Sequence, residues 1–270
     1  MTDTLHRILP QVQKPARYVG GEYNQIVKDK RDVDVRVAFC FPDTYEIGMS
    51  NIGMRILYGL MNELPGVWCE RVFAPWGDME EKMREHAIPL YALESHDPVR
   101  AFDLIAFTIG YEMSYTNILN MLDLSGVPLL ARERKGLENI VFAGGVCAVN
   151  PEPLADFIDF FSFGEGEEIT KEILACYRQA KKDGCSKEEF LLRVSRIDGV
   201  YVPSFYEHSY NPDGMLAAIT PKNGAPAKVR KRIVQDMDAA YFPTKTIVPS
   251  TEIVHDRTNL EIFRGCIRGC

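Results

Sequence analysis

Ile140-Val141-Phe142-Ala143-Gly144-Gly145 is a short apolar run, rich in β-formers, that stops on two glycines. A run of that length bounded by glycine reads as a buried strand. Upstream, Val35-Arg36-Val37-Ala38-Phe39-Cys40-Phe41 has the same character and ends at Pro42 and Asp43. Residues 67–72 and 104–109 are two more such runs, and residues 157–163 form another downstream. The stretches between them are helical in pattern. In residues 49–64, Ile52, Ile56, Leu57, Leu60 and Met61 recur on one helical face. Residues 78–86 and 116–124 give two further helices, and Gly164-Glu165-Gly166-Glu167-Glu168 opens another that runs to about residue 182. Strands alternating with helices imply an α/β fold with a parallel sheet and right-handed crossovers. The Rossmann-like unit spans residues 34–182. Ligands of such sheets sit at the carboxyl ends of the strands, where the strand order reverses. The chain places its unusual residues there, in segments 42–50, 110–116 and 144–153.

The flanks are less regular. Residues 1–33 read as a lead-in with a glycine pair at Gly20-Gly21. Residues 183–258 read as a connecting segment with a helix over 187–196, short strands and frequent prolines. The basic run Lys228-Val229-Arg230-Lys231-Arg232 is most simply an exposed strand face, with a phosphate contact as the weaker alternative. Hydrophobic residues make up 46% of the chain and charged residues 26%, enough apolar material for a real core. The formal net charge of −7 gives no support to a nucleic-acid partner. No apolar stretch approaches the ~18 residues of a membrane span, and the start carries no secretory signal. Five of the seven cysteines are scattered singly, which reads as reduced thiols in the cytoplasm.

Three constellations carry chemistry. Cys266 and Cys270 stand four apart in Glu261-Ile262-Phe263-Arg264-Gly265-Cys266-Ile267-Arg268-Gly269-Cys270, after an apparent strand. Thiolates are soft ligands that hold iron–sulfur clusters; a disulfide or a chance pair is the bland reading. Gly144 and Gly145 lack Cβ atoms, which lets a ligand approach the backbone; an ordinary turn is the alternative. At the end of the first strand, Asp43-Thr44-Tyr45-Glu46-Ile47-Gly48 is open to two readings: part of a ligand site, or a loop packed by Tyr45 with Asp43 capping the next helix. The same two readings hold for Ser114 and Thr116, ligand contact or helix cap. The carboxylates of Gly164-Glu165-Gly166-Glu167 lie near a helix start, where the dipole favours them, and have a structural role first.

The C-terminal segment resembles the start of the radical SAM motif, C-x-x-x-C-x-x-C, in its R-G-C-x-x-x-C form. By that resemblance Cys266 and Cys270 are two of three ligands to a 4Fe–4S cluster that binds S-adenosylmethionine. The motif's third cysteine would then fall three residues past Cys270. The resemblance makes residues 259–270 the opening of a partial barrel, beginning at its first strand. The ordered series strand, Gly-Gly, Pro-Glu, strand, Gly-Glu-Gly-Glu is similar to the cobalamin-binding domains that precede radical SAM barrels. There the glycine pair lies against the cobalamin nucleotide tail, and the loop holding Ser114 approaches the corrin. Asp43 and Gly48 match the D-x-H-x-x-G pattern of cobalamin domains, but Tyr45 stands where the cobalt-binding histidine would be. The resemblance therefore implies cobalamin without a histidine ligand, with Asp43, Tyr45, Gly48, Ser114, Gly144 and Gly145 as candidate cofactor contacts. An electron donor for the cluster is the implied partner. Two rivals remain: a corrinoid carrier or sensor without radical chemistry, and a radical SAM enzyme whose Rossmann-like domain no longer binds cobalamin.

Overall fold

The structure, a computed structural model, describes residues 2–268. The lead-in is structured. It opens with helix α1 (Thr2–Ile8), whose Leu5 and Ile8 are buried against the core. Strand β1 (Val35–Phe41) follows, then the single turn α2 (Tyr45–Gly48) and helix α3 (Ile52–Glu63). Asn51, not Asp43, caps α3: its Oδ1 accepts from the Met54 N–H at 2.9 Å. Next come β2 (Val67–Phe73), α4 (Gly77–Glu85), β3 (Leu104–Thr108), α5 (Tyr115–Ser125) and β4 (Ile140–Gly144). The unit is completed by β5 (Phe160–Ser162), α6 (Gly166–Asp183), α7 (Lys187–Val194) and the two-residue β6 (Val200–Tyr201). A separate hairpin, β7 (Tyr206–Tyr210) and β8 (Leu216–Pro221), lies beyond.

The sheet order is β2-β1-β3-β4-β5-β6. The first five strands are parallel and β6 pairs antiparallel with β5. The chain leaves β1 outward to β2 through α3, then returns across the sheet through α4 and α5. Right-handed crossovers therefore put α3 on one face and α4 with α5 on the other. The order reverses at β1 and β3, which opens a crevice at their carboxyl ends. The apolar runs become near-continuous buried strands because both faces are covered.

Two expectations change. The strand read over 157–163 is only three residues long. Asp159 is turned inward just before it, where its carboxylate meets Arg134 at 3.1 Å and Lys187 at 2.5 Å. The strand expected ahead of Cys266 is not formed: residues 222–268 hold no helix or strand beyond isolated bridges. No neighbouring strand among the described residues offers those N–H and C=O groups a ladder, and an unpaired strand has nothing to hold it extended.

The connecting segment is instead anchored at Gly164. The Glu165 N–H donates to the Arg232 carbonyl at 3.0 Å, and the Arg232 N–H donates to Phe163 at 2.8 Å. Gly164 has φ +101°, and a Cβ there would stand 2.0 Å from the Arg232 carbonyl oxygen. Gly164→Ala is therefore expected to destabilise the protein by more than ~1 kcal/mol. Gly184, with φ +64° and open space around it, provides the control. A urea midpoint that falls no further for Gly164→Ala than for Gly184→Ala would show that this close approach is not needed.

Candidate functional site

A cavity of about 280 Å³ opens at the carboxyl ends of β1, β3, β4 and β5, roofed by α3 and α6. Its walls are mainly apolar, with Phe39, Leu57, Met61, Phe107 and Phe142 contributing. Polar groups are few: the hydroxyls of Thr108, Ser162 and Thr170, and the Asn51 side chain that caps α3. An apolar slot with a few convergent polar groups is the usual form of a small-molecule site. The volume lies just under the ~300–1,000 Å³ found for such sites.

Gly144 and Gly145 both line this cavity. Each is also demanded by the local packing. A Cβ on Gly144 would sit 2.7 Å from the Ser162 hydroxyl, and one on Gly145, at φ +102°, would sit 2.6 Å from the Ile109 carbonyl oxygen. At the mouth, Tyr111, Met113, Val146 and Val149 are exposed on the two loops that follow β3 and β4. Of these, Val146 lines the cavity. Ser114, in the loop after β3, is buried, and its hydroxyl donates to the Tyr111 carbonyl at 2.7 Å; it does not line the cavity. It makes no side-chain cap to α5.

The Asp43 loop is placed elsewhere. Tyr45 is buried, edge-on to Phe73, and its hydroxyl donates to Glu22 at 2.9 Å and accepts from the Ser250 N–H at 3.2 Å. Burial, together with the neighbouring Glu22 carboxylate, pushes this phenol well above its ordinary range. Asp43 spends its carboxylate on the Thr44 N–H at 2.7 Å, and its carbonyl accepts from Ala74. Gly48 packs so tightly that a Cβ would lie 2.3 Å from the Phe73 ring. None of the three lines the cavity.

Cys266 is exposed and unpaired, and its sulfur accepts from the Arg268 N–H at 3.4 Å. The preceding Gly265, at φ +91°, bends the loop in the left-handed region that favours glycine, with open space around it. An accessible thiol in a glycine-bent loop with a backbone N–H aimed at sulfur fits the chemistry of an iron–sulfur ligand. Cys270 lies outside the described residues. Among the described residues no three His, Cys, Asp or Glu side chains converge as a metal site.

The residue that joins the two regions is Arg264. Its guanidinium bonds to Glu167, with one contact at 3.2 Å, to Glu261 at 2.7 Å and 2.9 Å, and lies 3.6 Å from Glu165. Along Gly164-Glu165-Gly166-Glu167 the glycines line the cavity while the glutamates hold the arginine. A second arginine, Arg232, is held by Glu168 and Glu172 on the same helix. The sequence placed these carboxylates correctly at the start of α6 but did not give their partners, which lie 60 to 99 residues away. The one available signal was charge complementarity between an acidic helix start and an isolated R-G-C.

The family model for radical SAM proteins, N-terminal, matches residues 53–203, more than half of the chain. An uncharacterized protein of Methanocaldococcus jannaschii is 29% identical over 240 residues, which cover 87% of this chain and 39% of the relative. This chain thus spans well under half the length of that curated relative. No solved structure matches it.

Proposed function

Because the chain belongs to the family of radical SAM proteins, N-terminal, we propose that it is the cofactor-presenting front part of a radical SAM enzyme. Cys266 and Cys270 supply two thiolates to a 4Fe–4S cluster. The cavity at the strand ends takes a flat heteroaromatic group, the nucleotide tail of a cobalamin. When bound, a 4Fe–4S cluster with S-adenosylmethionine supplies one-electron cleavage of the sulfonium. The protein's part is to hold the sulfur loop, keep it beside the cavity and exclude water from the apolar slot. The observation that carries this reading is the Arg264 clamp, which ties the R-G-C segment to the cavity wall. The six described cysteines are all free, which suits a reducing compartment, the cytoplasm. Substrate and electron donor are brought by the rest of the enzyme.

A second reading is favoured by Tyr45. Its hydroxyl is committed to Glu22 and Ser250, so it offers no ligand to cobalt. In this reading the enzyme is still a radical SAM protein, and the slot binds a different flat ligand.

The test is anaerobic reconstitution of the full-length protein with iron and sulfide, followed by reduction and S-adenosylmethionine. Cluster absorption and release of 5′-deoxyadenosine are the expected results. A protein that takes up iron and sulfide only at background overturns the radical SAM reading. Titration with hydroxocobalamin decides between the two readings. A saturating spectral shift supports cobalamin, and an unchanged spectrum leaves the second reading.

A further inference from the structure

We propose that Arg264 is a positioning residue for the cluster loop, held by Glu167 and Glu165 so that Cys266 is fixed beside the cavity wall. The inference rests on the reading of Cys266 as a cluster ligand.

The geometry makes the clamp more than a surface ion pair. Glu167 is 6% exposed and its carboxylate receives two hydrogen bonds from Arg264. Arg264 itself keeps only 19% of its side-chain exposure, and Glu261 closes its other edge. A planar guanidinium can serve two carboxylates in this forked manner, whereas an ammonium cannot. Glu167 stands on the first turn of α6, an 18-residue helix packed into the core through Ile169, Ile173 and Leu174. The support is therefore rigid. The neighbouring Glu165 is fixed in turn, since one of its oxygens accepts from the Val234 N–H.

The rest of the loop has little else to hold it. Leu260, Ile262, Phe263 and Ile267 are all exposed, so the segment buries little apolar surface of its own. Upstream the chain is held by buried Ile253 and by the His255 N–H, which donates to Ser50 at 3.0 Å; Arg264 is the charged attachment nearest the thiol, and only Gly265 separates it from the sulfur-bearing residue. The alternation of glycine and glutamate along residues 164–167 gives the clamp a second consequence. Gly164 and Gly166 line the cavity, while the side chains of Glu165 and Glu167 hold the loop. The two sites share one short stretch of backbone.

The test uses the full-length protein carrying R264Q, R264K, E167Q or the double change R264Q/E167Q, reconstituted anaerobically. Three quantities are read: iron per chain, the rate of iron loss to a chelator, and the change in the reduced cluster's paramagnetic resonance spectrum when S-adenosylmethionine is added. E172Q, which loosens the Arg232 contact on the same helix, is the control. R264Q and E167Q are expected to load iron, because the thiolates remain. They are expected to lose it ~10–100-fold faster than wild type, the range for removing an outer partner of a metal site, and to show a weakened S-adenosylmethionine response. R264K recovers part of the response, and the double variant is no worse than either single one, since both remove the same contact. Iron loss and spectra equal to wild type in R264Q and E167Q overturn the proposal while leaving the cluster reading intact. An E172Q effect as large as theirs also overturns it, because the role would then be general docking. Failure of the wild-type protein to load a cluster overturns the underlying reading as well.

Discussion

Arg71→Met is expected to destabilise the protein by about 3–5 kcal/mol, the cost of breaking a buried ion pair by removing one partner. Arg71 lies in the middle of β2 with a side chain only 2% exposed. Its Nε donates to Glu94 at 2.6 Å, and its two terminal nitrogens donate to Glu22 at 2.9 Å and 2.8 Å. Its own N–H donates to the other Glu94 oxygen at 2.7 Å. Burial alone works against the Glu22 carboxylate, and the Arg71 hydrogen bonds outweigh it and hold Glu22 below its ordinary value. At Glu94 burial dominates and pushes the carboxyl up. Methionine keeps much of the volume but leaves two carboxylates buried without a cation. Both then become stronger proton binders in the folded state than in the unfolded one. A carboxyl raised in this way is harmless below its unfolded value near 4.5 and costs stability as the pH climbs through and above it. The deficit of Arg71→Met should thus be largest at neutral pH and shrink on acidification towards pH 5. Urea unfolding of wild type and variant at both pH values reads this directly. A neutral-pH loss under ~1 kcal/mol, or a deficit that grows on acidification, would show that Arg71 is not the cation on which Glu22 and Glu94 depend.

This cluster also marks where the sequence stopped being informative. The strands were legible because both sheet faces are covered and their residues are accordingly apolar, as in Val35–Phe41 and Ile140–Gly144. Strand β2 was found from its valines, yet Glu70 and Arg71 inside it gave no sign of being buried. Their partners Glu22, Glu94 and Ser95 come from segments with no pattern of their own. The lead-in looked irregular for that reason, although Glu22 and the Tyr18 ring are built into the core. The glycine pair at the end of β4 was read as open to ligand contact or to turn geometry. It lines the cavity and is also required by packing against Ser162 and Ile109. The segment after residue 183 was read as short strands among prolines, and Pro203 indeed parts β6 from β7 through a turn of tight helix over Pro203–Phe205. The Arg264 partner of Glu167 and Glu165 was out of reach because pairing across 97 and 99 residues leaves no local spacing to read.

Cys266→Ser in the full-length protein is expected to abolish cluster loading and reduce 5′-deoxyadenosine release to background while the fold is kept. The fold should survive because the Cys266 side chain is exposed. The chemistry should not, because a serine hydroxyl stays protonated and is a hard oxygen donor where iron–sulfur clusters take soft thiolates. The loss should be at least as large as the ~10–100-fold that removal of an outer partner costs. No other described cysteine can take its place. Cys40 and Cys69 are buried in β1 and β2, and burial pushes both thiols far from ionisation. Cys176 and Cys185 stand against the core near the far end of α6. Cys147, in the loop after β4, has its thiol raised by partial burial and by Glu112. Cys147→Ser is therefore the matched comparison, and it should load the cluster as wild type does. The cavity gives an independent control, since its walls contain no part of the cysteine loop. Binding of a flat ligand there should be retained in Cys266→Ser within about twofold, well under the ~1.4 kcal/mol of a tenfold change. A Cys266→Ser protein with the iron content and S-adenosylmethionine turnover of wild type would remove Cys266 from the cluster, and with it the role argued for Arg264.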